Sequence, residues 1–207
     1  MFGLGFGFLY GLIVRFTQFP ESGYILWLRT AVIQASLSFA IPSNSIFQDK
    51  RLRVSEMILT TKLKPKEYVF AKWFEGIISG IITGYSYLII FISLTTSLYA
   101  QYGSLDIWVN VILVAIAFSA FSVVLGIMFA KSGILLKILL VLLIAIIPFL
   151  VLVFYVISNL EYLKSIEILQ HLNLDLISKF SLIILTIYAL IWLLLSIKNI
   201  EIKDFII

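Results

Sequence analysis

The sequence predicts an all-α fold: a polytopic membrane bundle of six transmembrane helices, a single domain over residues 1–207, with a short cytoplasmic helix between spans two and three. Three observations carry this. First, 62% of the 207 residues are hydrophobic and 13% charged, with mean hydropathy +1.12; an ordinary soluble domain carries roughly 25% charge. Too few charged side chains remain to coat a water-exposed surface, so the apolar ones must face lipid or one another. Second, the apolar residues fall in six blocks. At about 20 residues per crossing, six helices leave about 85 residues for loops and ends, too few for a separate soluble domain. Third, the basic residues gather on alternate connections.

The first block, 1–19, is interrupted by Arg15 and lacks the Lys/Arg cluster that precedes the apolar core of a cleaved signal peptide, so it reads as a retained span. Its uncharged core, residues 2–14, covers only about 20 Å at helical rise, and a full crossing needs Arg15 to snorkel. Pro20, Glu21, Ser22 and Gly23 form a turn before a second span, 24–41, which Pro42 is expected to close. A polar stretch, 43–71, follows. The remaining spans are expected at 72–99, 107–130, 134–158 with Pro148 as a kink, and 181–197. Helices are the form that lets a single crossing satisfy its own backbone groups. The connection 159–180 has Leu160, Leu163, Ile166, Leu169 and Leu172 at three-residue spacing, which predicts an amphipathic interfacial helix.

Orientation follows from Lys and Arg. With the 43–71 loop inside, the inner side collects Lys50, Arg51, Arg53, Lys62, Lys64, Lys66, Lys72, Lys131, Lys137, Lys198 and Lys203, and the outer side keeps Arg15, Arg29, Lys164 and Lys179. Eleven against four predicts both termini in the cytoplasm, and the chain is expected in the cell membrane. The same asymmetry accounts for the net charge of +4 without invoking nucleic acid. With no cysteine there is no thiolate metal site or Cys nucleophile, and the single His171 has no second histidine to share a metal.

The inner loop carries the strongest pattern. Val54, Met57, Ile58 and Thr61 follow i, i+3, i+4, i+7 spacing, and Asp49, Arg53, Glu56 and Thr60 follow the same spacing on the opposite side. Arg53 can pair with Asp49 and Glu56, each pair supporting a short helix by a few tenths of a kcal/mol. Lys64, Pro65 and Lys66 then end it. Such a helix could lie on the headgroups as a lipid-bound loop, or offer its polar face to a cytosolic partner.

The order of residues in DKRLRVSEMILTTKLKPKEYVFAK resembles the segment between spans two and three of the ABC-2 type permeases, the membrane subunits of one class of ABC exporters. Glu56 takes the position of the family's Glu, Ile58 and Leu59 that of its apolar pair, Thr60 and Thr61 its hydroxyl position, Pro65 its turn and Lys72 its lysine. Val54, Lys62 and Ala71 stand where Gly, Pro and Gly are usual. The resemblance implies a coupling helix seated in a groove of a separate cytosolic ATP-binding subunit, and a second permease copy as a homodimer or heterodimer. ATP and Mg would belong to the ATP-binding subunit. This chain has no glycine followed by Lys and hence no phosphate loop, so it is expected to transport rather than catalyse, binding no cofactor or metal itself. Two other readings remain: a non-transporting scaffold binding anionic lipid or a signalling partner, and a haem-exporter-like permease of cytochrome maturation.

Within the spans, Gly76, Gly80 and Gly84 repeat at four-residue spacing and predict a smooth face for close helix approach, within the chain or between protomers; Gly7 and Gly11 could do the same. Arg29 is a candidate for substrate or lipid. It lies about 9 Å from the outer end of its span, which favours snorkelling to outer headgroups. Lys72 and Glu75 read as a boundary ion pair, and Gln34 and Asn110 as interhelical hydrogen-bonding groups. The spans hold no Asp and no His away from their ends, which leaves an intramembrane hydrolase without its acid and base.

Overall fold

The computed structural model describes residues 2–16, 21–51, 64–131, 146–156, 158 and 173–198. Among these every element is helical: α1 (Phe2–Phe16), α2 (Glu21–Ser36), a 3-10 turn (Leu37–Phe39), α3 (Ala40–Arg51), α4 (Pro65–Leu94), α5 (Thr96–Tyr102), α6 (Asp106–Lys131), α7 (Ile146–Val156) and α8 (Leu174–Lys198). Four stretches are long and apolar enough to cross a membrane: Gly23–Ile46, Pro65–Leu94, Asp106–Met128 and Leu176–Lys198. The protein is therefore a helical, membrane-embedded chain. Of the six expected spans, the first and fifth are represented among the described residues by the shorter apolar helices Leu4–Arg15 and Ile146–Val156.

Helix α6 is the centre. Its most apolar window is 78% buried, against 28% for α4 and 33% for α8. Small residues make this possible: Ala115, Ala117, Ser119, Ala120 and Ser122 are all buried and let α2, α3, α4 and α8 close around it. Helix α4 has two unlike faces. Phe70, Phe74, Ile78, Ile82 and Ile89 are exposed on one side, as befits lipid contact, while Gly76, Gly80 and Gly84 are buried on the other. The glycine face packs within the chain. A Cβ at Gly76 would lie 2.5 Å from Pro42 Cγ and 2.7 Å from Ser119 Cβ, and one at Gly80 would lie 2.9 Å from Ala115 Cβ and from the Ala35 carbonyl oxygen. Helix α1 lies beside the C-terminal part of α4, Gly7 against Tyr87 and Gly11 against Leu94.

The second span, α4 and α6 alternate in direction and α8 runs parallel to α6, so the helix ends form two layers. One holds the start of α2 and the end of α4, where the Tyr24 hydroxyl reaches Thr95 Oγ1 at 3.5 Å, with the starts of α6 and α8, where Asp106 and Lys179 pair at 2.6 Å. The other holds the end of α3 and the start of α4.

Four expected boundaries are corrected. Pro42 does not close the second span: after the 3-10 turn the chain resumes as α3 with Pro42 in its first turn, where a missing N–H is tolerated. In an unbroken helix Pro42 would crowd the Ser38 carbonyl, at a cost of about 3 kcal/mol; the turn relieves this, and the Ser43 N–H donates to Ser122 Oγ of α6 at 2.8 Å. The third span begins at Pro65, seven residues before the expected Lys72, because Pro65 occupies the first helical position and Glu67 accepts from the Lys64 N–H at 3.0 Å. It ends at Leu94, where Thr95 separates it from α5. Its 30 residues make a rod about 45 Å long. The sixth span begins at Leu174 rather than Ser181, capped by the Asn173 side chain, which accepts from the Leu176 N–H at 3.1 Å. The C-terminal part of the expected interfacial helix thus belongs to α8, and residues 159–172 lie outside the described residues.

Candidate functional site

The root of the basic loop is built from two i, i+4 pairs that face each other. Ser45 and Asp49 stand one turn apart on α3; Tyr68 and Lys72 stand one turn apart on α4. Lys72 Nζ donates to Ser45 Oγ at 2.5 Å and pairs with Asp49 Oδ2 at 2.9 Å, and the Tyr68 hydroxyl donates to the same Asp49 oxygen at 2.7 Å. The ammonium also lies 5.6 Å from the Tyr68 ring centroid. The side chains of Lys72 and Asp49 are 17% and 18% exposed, so this pair is shielded enough from water to hold. Glu75, at 3.6 Å and 49% exposed, is the weaker partner. The expected Lys72–Glu75 pair is present, but Asp49 is the closer acid.

Asp49 therefore does not stand on an open polar face. Its carboxylate is turned to α4, and α3 carries it as the continuation of the second span. The other coupling-helix residues, Arg53, Glu56, Ile58, Leu59, Thr60 and Thr61, lie outside the described residues. The described ends of the loop, Arg51 and Lys64, leave from helices that this cluster clamps together. Its chemistry is mechanical: charge-assisted hydrogen bonds that bind two helices where a loop joins them.

Arg29 is likewise placed otherwise than expected. It is 5% exposed and does not reach for outer headgroups. One guanidinium nitrogen donates to the Tyr155 carbonyl at 2.5 Å and to Ser158 Oγ at 2.7 Å, and the group lies 4.6 Å from the Tyr155 ring centroid. Asn110 Nδ2 donates to the Tyr155 hydroxyl at 2.7 Å. Tyr155 thus links α2 to α6 through α7, and Asn110 does make the interhelical bond expected of it. Gln34 differs: its Oε1, and the hydroxyl of Ser38, are buried with no hydrogen-bond partner among the described residues.

An apolar cavity of about 360 Å³ lies between α7 and α8, lined by Ile147, Val151, Ser181, Ile184, Leu185 and Tyr188. The Ser181 hydroxyl is already spent on the Ser178 carbonyl at 2.6 Å. Among the described residues no group of three or more His, Asp or Glu side chains could hold a metal ion.

Comparison with protein-family models, with characterised proteins and with solved structures gave no match. Ser45, Tyr68, Tyr155 and Ser158 escaped the sequence reading. For the first two a signal exists, since each stands one helical turn from a charged residue that it assists. For Tyr155 and Ser158 none does, because their partner Arg29 is 126 and 129 residues away.

Proposed function

We propose that this chain is the membrane-spanning permease subunit of an ABC-type exporter, moving an amphiphilic substrate with ATP hydrolysed by a separate cytosolic subunit. The observation that carries the reading is the order of residues through the loop, from Asp49 past Glu56, Ile58, Leu59, Thr60 and Thr61 to Pro65 and Lys72. The clamp at the loop root supports it. A short helix pushed by a motor transmits force only if both its ends are anchored to spans, and Asp49–Lys72 ties together the two helices from which the loop departs. The largely apolar open pocket between α7 and α8 suits a substrate with a hydrocarbon portion better than an ion.

The same reading has six crossings, both termini cytoplasmic, a second permease copy beside this one, and membrane lipid around both. The eleven-to-four distribution of Lys and Arg supports a cytoplasmic position for the loop.

Co-expression with an ATP-binding subunit tests it. The permease should co-purify with the ATPase and raise its turnover, and Glu56→Lys should abolish both effects while leaving the permease folded. A chain that neither retains nor stimulates such a subunit, but whose loop binds anionic vesicles with steep salt dependence, would instead be a lipid-binding scaffold. A cysteine substituted for Thr60 should resist an impermeant thiol reagent added to intact cells; labelling there would refute the orientation.

A further inference from the structure

Ser38 and Pro42 stand at i−4 and i across the break in the second span. In a continuous helix the Pro42 ring meets the Ser38 carbonyl and has no N–H to offer it, so the run is interrupted at Leu37–Phe39. The interruption leaves a defect of its own. Thr30, Ser36 and Ser43 in the same stretch each donate to a carbonyl three or four residues back, but the Ser38 hydroxyl, 1% exposed, finds no partner among the described residues. It has no room for water on the side of α4: a Cβ at Gly80 would already lie 2.8 Å from Ser38 Cβ. Either form of the segment is therefore imperfect. The 3-10 form strands a hydroxyl, and the α form, which offers that hydroxyl a carbonyl one turn back, crowds a proline. These costs are of the same order, the condition for a segment to populate two states.

We propose that Leu37–Phe39 is a two-state joint, held as a 3-10 turn by the clamp of Ser45, Asp49 and Lys72, and passing to α-helix when that clamp opens. The geometry makes the two exclusive. A 3-10 helix turns 120° per residue and an α-helix 100°, so converting three residues rotates α3 by about 60° relative to α2 and shortens the run by about 1.5 Å. A polar group at the helix surface, about 6 Å from the axis, then swings through about 6 Å. Ser45 and Asp49, now 2.5 Å and 2.9 Å from Lys72 Nζ, cannot stay in reach. The surface over which the joint moves is smooth: Pro42 sits over Gly76, Ser38 over Gly80 and Ala31 over Gly84, so no α4 side chain stands between them. The joint does not depend on the transport reading, since it concerns only the second span and its neighbours.

The chain has no cysteine, so spin labels can be placed on Ile33→Cys of α2 and Gln48→Cys of α3, both exposed, and the distance between them measured by electron resonance. The parent protein should give one main distance. Asp49→Asn, which opens the clamp, and Pro42→Ala, which removes the crowding, should each populate a second distance several ångströms away, the same in both. Adding Ser38→Ala to Asp49→Asn removes the hydroxyl that gains a partner and should return population to the first distance. Lys72→Gln opens the clamp from the other side and must reproduce the Asp49→Asn result, which guards against misfolding of a single variant. If Pro42→Ala or both clamp variants leave the distance unchanged, or the two kinds of variant shift it differently, the proposal is overturned.

Discussion

Lys72 Nζ lies 2.9 Å from the Asp49 carboxylate and 3.6 Å from that of Glu75, its neighbour one turn along the same helix. The long-range partner is thus the closer one, and it joins two helices where Glu75 joins only two turns of one. Removing it should cost more. We expect Asp49→Asn to lower stability by about 1–3 kcal/mol, since a largely buried ammonium loses its charged acceptor, and Glu75→Gln to cost less than about 1 kcal/mol. Thermal denaturation in one detergent ranks the pair; equal losses would contradict the assignment.

The glycine face of α4 makes a graded prediction. Gly80→Ala places a methyl 2.8–2.9 Å from three atoms, one of them the Ala35 backbone oxygen, and should destabilise by about 1–3 kcal/mol. Gly5→Ala in α1 meets nothing within 4 Å and should be neutral or stabilising by up to about 1 kcal/mol through helix propensity. Melting temperatures of the two variants should move in opposite directions, or only the first should move.

Arg29 makes two hydrogen bonds through one guanidinium nitrogen and lays its planar face near the Tyr155 ring. Arg29→Lys keeps the charge but loses the planar surface over the Tyr155 ring and the reach set by the guanidinium, and should cost about 1–3 kcal/mol. Asn110→Ala, which loses the bond to the Tyr155 hydroxyl, should cost about 1 kcal/mol. Because both act through Tyr155 the double variant should be non-additive; strict additivity in denaturation would show that Tyr155 does not couple them.

Asp106 and Lys179 pair at 2.6 Å between the starts of α6 and α8, but their side chains are 57% and 32% exposed. Asp106→Asn should cost less than about 1 kcal/mol, and the difference from the parent should shrink as salt is raised. A large, salt-independent loss would mean that the pair is shielded by something beyond this chain.

Much of this architecture was legible in the residues, and the failures have physical causes. The fourth span is legible to within one residue at each end, 107–130 against Asp106–Lys131, because α6 has charged residues only at its ends and its internal polar residues, Asn110, Ser119 and Ser122, are few and small. The third and sixth spans were started too late for one reason: hydropathy marks where a helix enters hydrocarbon, and α4 and α8 begin before that, capped through Glu67 and Asn173. Pro42 misled because a proline can mark the restart of a helix as well as its end. The glycine spacing announced a close approach but not which helices make it. Depth alone points Arg29 outward; what turns it inward is Tyr155, a contact that no local pattern supplies.

The length of α4 has a further consequence. At about 45 Å it exceeds a hydrocarbon layer of about 30 Å, and leaning enough to submerge all of it would take about 48°, beyond the usual range of up to about 40°. Part of it must stand outside the hydrocarbon, and the charged end with Lys66, Glu67 and Lys72 is the part that does so at least cost. The Asp49–Lys72 tie fastens the end of α3 to this emergent stretch of α4, so the second and third spans leave the hydrocarbon as one braced pair.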